Sequence, residues 1–545
     1  MTAEVEMTPR VSIGGTANSC TTVTDIGGAL SHPGNRHMFR LLSGVFLTVA
    51  ALRLSILFWV KRGERETVMS MPTVNLEQIC PDKKGLKRDL KSRHLMMISI
   101  GGTIGTGLFL GTGQTISQAG PVGAIMGYLV GAFIMLLVLL CLAELSIAMP
   151  VAGSFQSYAS RFISPAAGFT TGWLYWVNWA VCIAADFTAA GIIANNWFPG
   201  VPVWMWCAGF VIGLAIINLV SVRTYGEAEF WFAGIKVTAI IAFIIAGIAL
   251  MFGVVGHEGA IGFSNFHTGE GLFPKGFSAV FLTMIAVTYS FQGAELVGIA
   301  AGECEEPSKN IPKVIRGITF RIILFYVVAI FVLAATIPWR EAGVLESPFA
   351  HVFSRIGMPF AETIMCAVVL TSALSAGNSA LYACSRLLWS MAKEDLAPAW
   401  LGKLSRNGVP YYGVLITLLL AGLSLLTQVF AADTVYLWLM ASTGLTGCLI
   451  WVIIAWCQIN FRQEYLRLGG NLSDLLFRTP LYPLVPILTI VLNLGVVFSL
   501  YFDESQHIVL LAGVVFLVAI YLYYYLFLAK KKAAIVSETA LQKNA

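Results

Sequence analysis

Four ionisable residues stand inside long apolar stretches of this chain: Glu144, Asp186, Lys236 and Glu295. A charged side chain at mid-bilayer costs at least about 2.5 kcal/mol on insertion scales, so each is a candidate for function. Two glycine-rich stretches accompany them. The first, Gly101-Gly102-Thr103-Ile104-Gly105-Thr106-Gly107-Leu108-Phe109-Leu110-Gly111, holds five glycines in eleven residues. Each glycine costs a helix interior about 1 kcal/mol, which predicts a broken helix here. Inside a membrane such a break is tolerated only where the freed N–H and C=O groups line a cavity, a ligand or a partner. N–H groups clustered at the start of the second half-helix then suit a carboxylate. Close helix packing through Gly107-x-x-x-Gly111 is the competing reading. The second stretch, Tyr289-Ser290-Phe291-Gln292-Gly293-Ala294-Glu295-Leu296-Val297-Gly298, places two glycines and an acid in another span. Similar breaks five spans apart are what two inverted repeats produce, with a transported solute bound between them.

The four ionisable groups carry different expectations. Lys236 follows Gly234-Ile235, where a buried amine suits proton exchange; the alternative is an amine that snorkels to the cytoplasmic surface, which Glu229 would mark two turns earlier. Glu295 adjoins the second break, where changing hydration would drive its proton on and off, unless it is a helix-bridging hydrogen-bond partner. Asp186 has no base near it in sequence, so a cationic substrate or another helix must complement it. Glu144, near the cytoplasmic end of its span, reads as a structural pair or loop anchor ahead of a functional group.

Positioning these residues takes helices of about 20 apolar residues, the length that crosses a bilayer. Such windows fall near 96–115, 122–148, 168–196, 202–221, 231–253, 276–302, 318–338, 360–385, 411–430, 434–458, 481–502 and 507–529. The expected fold is therefore an all-α integral membrane protein with twelve transmembrane helices, since the windows are too long for barrel strands. Of the 545 residues, 57% are hydrophobic and only 12% charged, about half the charged share of soluble domains. A soluble protein is excluded on that balance, and a net charge of +5 is too mild to make nucleic acid a partner. Basic residues cluster at 83–93, 309–321 and 530–532, and in the other loops assigned to the same side, whereas the opposite loops carry only Lys275, Arg340 and Arg355. The positive-inside rule then puts both termini in the cytoplasm.

Residues 1–80 do not fit this pattern. The stretch 41–60 looks like one more span interrupted by Arg53, or a signal sequence. Residues 61–66 back-translate to a purine-rich run just before Met69 and Met71. The natural start is accordingly expected at one of those methionines, and N-terminal sequencing of native protein tests this. The ten cysteines include no C-x-x-C, so neither a zinc site nor a redox dithiol is expected, and no cofactor or metal is called for. The chain lacks the Gly-x-x-x-x-Gly-Lys-Ser/Thr motif of an ATP-driven pump, and no nucleophile, base and orienting group can be grouped as an enzyme requires.

Arg93-His94-Leu95-Met96 leading into Gly105-Thr106-Gly107, Ala119-Gly120-Pro121, Ala143-Glu144-Leu145-Ser146, Met149-Pro150, Gly153-Ser154-Phe155, Gly172-Trp173 and Tyr175-Trp176 closely resemble the bacterial amino acid permeases of the amino acid-polyamine-organocation superfamily. The resemblance continues through Glu227-Ala228-Glu229-Phe230-Trp231-Phe232, Gly293-Ala294-Glu295-Leu296, Ala301-Gly302-Glu303, Ile311-Pro312 and Leu374-Ser375-Ala376-Gly377-Asn378-Ser379, and covers roughly 86–532. It implies a leucine-transporter-like 5+5 inverted repeat with broken helices 1 and 6. The division would be an N-terminal extension (1–80), a permease domain (81–532) and a cytoplasmic tail (533–545). Within the permease domain, repeat one is at about 96–253, repeat two at about 276–458 and helices 11–12 at about 481–529. It further implies that Ile104, Gly105, Thr106 and Gly107 bind the substrate carboxylate, and that carbonyls near Tyr289, Ser290 and Phe291 receive the amino group. Tyr289 or Phe291 would be an aromatic gate. Lys236 would hold the place of a sodium ion, and Glu295 would share in proton coupling.

The implied function is secondary active amino acid uptake with protons across the plasma membrane, with the amino acid, protons and the lipid bilayer as partners. Permeases for arginine, ornithine and lysine resemble the chain especially closely, and one for a sulfonium amino acid does too. Asp186, as a substrate-binding acid, would favour a basic side chain. Neutral or sulfonium substrates, and an amino acid-sensing transceptor with little flux, are the alternatives.

Overall fold

The computed structural model describes residues 90–529 apart from 152, 221, 257–258, 267–272, 344–346 and 358–359. The N-terminal extension, its alternative start sites and the C-terminal tail lie outside the described residues. Among the described residues the regular elements are helices, with a single bridge between Leu90 and Cys304.

The first expected span is two half-helices, α1 (Ser92–Thr103) and α2 (Thr106–Phe109), with Ile104 (φ −79°, ψ 91°) and Gly105 (φ −133°, ψ −155°) extended between them. The following helix, α3 (Gly111–Ala148), carries the chain on through a kink at Gly120, where φ is 77°, followed by Pro121. Glycine tolerates that backbone and proline suits the first turn after it. The end of the first span and the whole second span thus meet inside α3, where the hydropathy windows left a gap.

A short helix, α4 (Phe155–Phe162), leads to α5 (Pro165–Trp197), which starts on a proline with the Ser164 hydroxyl accepting the Ala167 N–H at 3.1 Å. Such a cap satisfies an otherwise free donor. Then come α6 (Val203–Val220) and α7 (Val222–Met251). The sixth expected span is α8 (Ser278–Leu282), α9 (Met284–Phe291) and α10 (Leu296–Ala300), broken across 292–295. Beyond it run α11 (Pro307–Thr336), α12 (Trp339–Ala342), α13 (Pro348–Arg355), α14 (Ala361–Lys393), α15 (Tyr411–Ala421), α16 (Ala432–Arg467), α17 (Leu484–Ser499) and α18 (His507–Tyr523).

Eight of the described helices are long and apolar enough to cross a membrane, and three shorter apolar ones lie at Val203–Leu219, Phe325–Thr336 and Tyr411–Thr427. Burial separates a centre from a periphery. The window spanning the second break, Met284–Glu303, is 100% buried, and that of Pro165–Trp197 is 89% buried, whereas His507–Ala529 is only 11% buried. α5 packs on both α14 and α16, and α7 on α1. Outward faces are apolar: Trp231, Ile235, Ile241, Ile245 and Ile248 on α7 are exposed. An apolar exterior around backbone groups satisfied within helices is what hydrocarbon solvent selects.

Candidate functional site

The two breaks lie against each other. Gly293 has φ 108°, and a Cβ there would stand 2.5 Å from both the carbonyl carbon and oxygen of Gly102 and 2.7 Å from the Thr103 nitrogen. A Cβ on Gly107 would stand 2.7 Å from Cα of Ser290. Glycine at these positions lets one broken backbone touch the other, which gives the glycines of both breaks a close-packing role.

A helix end leaves carbonyls without intrahelical partners, and buried ones must be satisfied elsewhere. At the end of α1 the donors are side chains from three other helices. Nζ of Lys236 donates to the Gly101 carbonyl at 2.5 Å, and the Ser372 hydroxyl donates to that of Ile104 at 3.0 Å. The Tyr326 hydroxyl lies 2.7 Å from both the Thr103 and Ser290 carbonyl oxygens, so its one proton serves the two breaks in turn. Lys236 is 1% exposed. It therefore does not snorkel, and its ammonium sits at the first break.

Asp186 is also brought to this break. Its Oδ1 accepts the Thr106 hydroxyl at 2.7 Å, and Oδ2 takes a weak contact from the Cys182 thiol at 3.9 Å. Thr106 Oγ1 lies 3.0 Å from the Tyr289 hydroxyl. Since the threonine proton goes to the carboxylate, Tyr289 is the donor to Thr106. The hydrogen-bond partner of Asp186 is thus Thr106, the first residue of α2. Among the described residues no ion pair reaches Asp186.

The remaining expected residues separate. The Ser290 hydroxyl donates to the Gly107 carbonyl at 2.8 Å, while the Ser290 carbonyl already faces Tyr326. Phe291 stacks on Tyr326 (centroids 4.6 Å apart, 25° between planes) and tilts against Tyr128, in an aromatic cluster behind the break. Of the two gate candidates, Tyr289 is the one that reaches Thr106. Glu295 caps the second break: Oε2 accepts the Gly293 N–H at 3.1 Å and Oε1 accepts the Tyr175 hydroxyl at 3.3 Å. The helix-bridging reading of Glu295 thus has a physical basis. Glu144 is a structural pair: Arg462 holds it through two N–H groups at 2.9 and 2.6 Å, joined by Gln458 and the Thr479 N–H.

Sequence reasoning missed three participants. Tyr326 and Ser372 are ordinary polar residues within apolar helices, and nothing in their spacing marks them. Glu229 was expected at the cytoplasmic surface as a marker, but it is fully buried beside Gly101 and Ser375. Glu227 takes the surface role instead, pairing with Arg93 at 3.2 Å. Two residues apart on a helix means about 200° of rotation, which sends the two acids to opposite sides.

Two helices interrupted against each other in a fully buried centre, with side chains closing their freed carbonyls, define a broken-helix membrane transporter. A crystal structure of MhsT in complex with L-phenylalanine shares the fold with a TM-score of 0.55 at 16% identity, covering 76% of this chain and 99% of that one. The architecture is the leucine-transporter-like one. The amino acid permease model matches residues 94–539, and the chain belongs to that family. Amino-acid permease RocC of Bacillus subtilis (strain 168) is 51% identical over 452 residues, 82% of this chain and 96% of the relative. Amino-acid permease RocE of the same organism is 49% identical over 452 residues, 82% and 97%. Lysine-specific permease LysP of Escherichia coli (strain K12) is 45% identical over 418 residues, 75% and 86%.

Proposed function

We propose that this permease drives amino acid uptake with protons across the plasma membrane and favours substrates with a basic side chain. The observation that carries the coupling is Lys236, whose ammonium docks on the Gly101 carbonyl at the first break. A sodium ion coordinated by the same carbonyl would meet a like charge in a low-dielectric centre. In this reading the N–H groups of Ile104 to Gly107 take the substrate carboxylate, carbonyls at 289–291 take its ammonium, and Tyr289 closes over it. Glu295 joins Lys236 in coupling by answering hydration changes at the second break.

Basic preference is supported by Asp186, a buried acid that accepts the Thr106 hydroxyl and has no ion pair among the described residues, and by the similarity to a lysine-specific permease. A negative-inside potential adds about 2.3 kcal/mol per charge per 100 mV to the inward drive of such a substrate. The reading includes twelve spans, inverted repeats at about 96–253 and 276–458, and both termini in the cytoplasm. A neutral substrate is the second reading, favoured by 40% identity to a gamma-aminobutyric acid permease of Bacillus subtilis. Proteoliposomes with an imposed pH gradient, one labelled amino acid and a panel of unlabelled competitors test both parts. Strict sodium dependence refutes the coupling, and stronger competition by leucine than by lysine, arginine or ornithine refutes the basic preference.

A further inference from the structure

Glu229 and Lys236 lie two turns apart on the same face of α7 and both end on Gly101 of α1. Lys236 takes the Gly101 carbonyl, and a Cβ on Gly101 would collide with the bound carboxylate oxygen of Glu229. That oxygen accepts the Ser375 hydroxyl at 2.7 Å; the other carboxylate oxygen is buried without a hydrogen-bond partner. Around the carboxylate, α14 contributes Ser375, Asn378 and Ser379, and α1 contributes Gly101, all uncharged. Asn218 of α6 is bonded to Asn378 at 2.7 Å. The charge acting on Glu229 is Lys236, on its own helix, and Asp186 acts on the same ammonium from α5. Glu227 and its partners Arg93 and His94 form a separate group at the surface.

An ionised carboxylate held with an orphaned oxygen is costly to bury, and a proton removes most of that cost. The cluster contains two acids and one base, so one further positive charge is needed for neutrality. We propose that Glu229 is a proton-bearing residue of the coupling centre, accepting the proton that Lys236 gives up and releasing it toward the cytoplasm. The proposal rests on the proton-coupled reading above. Among the described residues no ion pair joins the two groups, so the proton passes by way of a water admitted between them. An N–H bond of the Lys236 ammonium breaks as the water gains that proton, and the water gives up one of its own as an O–H bond forms on Glu229; the neutral amine keeps two hydrogens and still donates one to the Gly101 carbonyl. When α1 moves away from α7, Gly101 uncovers both groups, and the Glu229 O–H ionises to water. Gly101 thereby makes the exposure of the acid depend on the position of the broken helix.

The test uses full-length protein in proteoliposomes. Glutamine at 229 keeps a carbonyl acceptor for Ser375 and mimics the protonated acid without giving up a proton. With about one pH unit across the membrane, worth tenfold in accumulation for one proton, Glu229→Gln is expected to lose that tenfold gain. Counterflow, which needs no net proton release, should fall far less, and Glu229→Asp should recover part of the accumulation. Wild-type accumulation by Glu229→Gln overturns the proposal, as does an equal loss of counterflow and accumulation in folded Gln protein, which makes Glu229 a packing seal. A wild-type protein indifferent to the pH gradient refutes instead the proton-coupled reading itself.

Discussion

Alanine at Gly293 probes the closest approach of the two broken helices. The residue has φ 108°, and its added Cβ would lie 2.5 Å from the Gly102 carbonyl carbon and oxygen. Those are backbone atoms, which cannot rotate aside as a side-chain tip can. The left-handed backbone costs an L residue about 1–2 kcal/mol and the overlap about 1–3 kcal/mol, together roughly 2–5 kcal/mol. If substrate binds the arrangement in which the breaks touch, affinity falls roughly thirtyfold or more, since about 1.4 kcal/mol is tenfold. Lysine binding to purified protein and thermal unfolding with and without lysine measure both effects. Gly234→Ala is the control: it sits in α7 with nothing within 4 Å of an added Cβ. That change should leave binding intact and add up to about 1 kcal/mol through helix propensity. A Gly293→Ala protein with wild-type melting and affinity would refute the backbone-to-backbone crossing.

Gly107→Val should abolish substrate binding by prising the two breaks apart, because its Cβ alone would reach 2.7 Å from Ser290 Cα; retained affinity, measured by equilibrium binding, contradicts that dependence of the site on the contact. Lys236→Gln should reduce proton-driven accumulation more than binding, and wild-type uphill uptake at equal expression counts against it. Asp186→Asn should weaken lysine, arginine and ornithine far more than leucine; equal losses of inhibition constant across the four make Asp186 structural. Glu144→Ala should lower stability by about 3–5 kcal/mol, because it strands the buried Arg462 guanidinium, and an unchanged unfolding temperature contradicts that pairing.

The breaks were legible because their cause is local: glycine density and helix propensity act over a few residues. Lys236, Asp186 and Glu295 were legible as candidates because the cost of a charge in hydrocarbon depends on the span alone. Their partners were not legible. Asp186 meets Thr106 across 80 residues and Glu144 meets Arg462 across 318, and such pairings follow from how helices assemble. The hydropathy windows also could not see that α3 runs through Gly120 as one kinked helix, since the kink is a single residue's backbone angle. Glu229 was misplaced for a related reason. An acid at the start of an apolar run suggests an interface, but the helix phase that buries it becomes visible only when α1 and α14 are packed against α7.

The accounting at the first break is asymmetric, and the asymmetry bears on how a solute can be both held and released. On the carbonyl side, Gly101, Thr103 and Ile104 are each engaged by a side chain from a different helix, α7, α11 and α14. Moving α1 therefore requires three hydrogen bonds to be exchanged together, and buried bonds left unmade cost about 1–3 kcal/mol each. On the other side, Thr106 at the start of α2 meets the Asp186 carboxylate through its hydroxyl. A substrate carboxylate approaching the same half-helix carries the charge that Asp186 already carries, so the two cannot share the site without a proton or a cation between them. The α-ammonium of any zwitterionic amino acid can supply such a cation, and a basic side chain brings a second one. The two sides of the break are joined by the short extended link of Ile104 and Gly105 and, through the second break, by the chain of hydrogen bonds from the Gly107 carbonyl to Ser290 and from Tyr326 to the Ser290 and Thr103 carbonyls, so a change at α2 can bias α1 by either route.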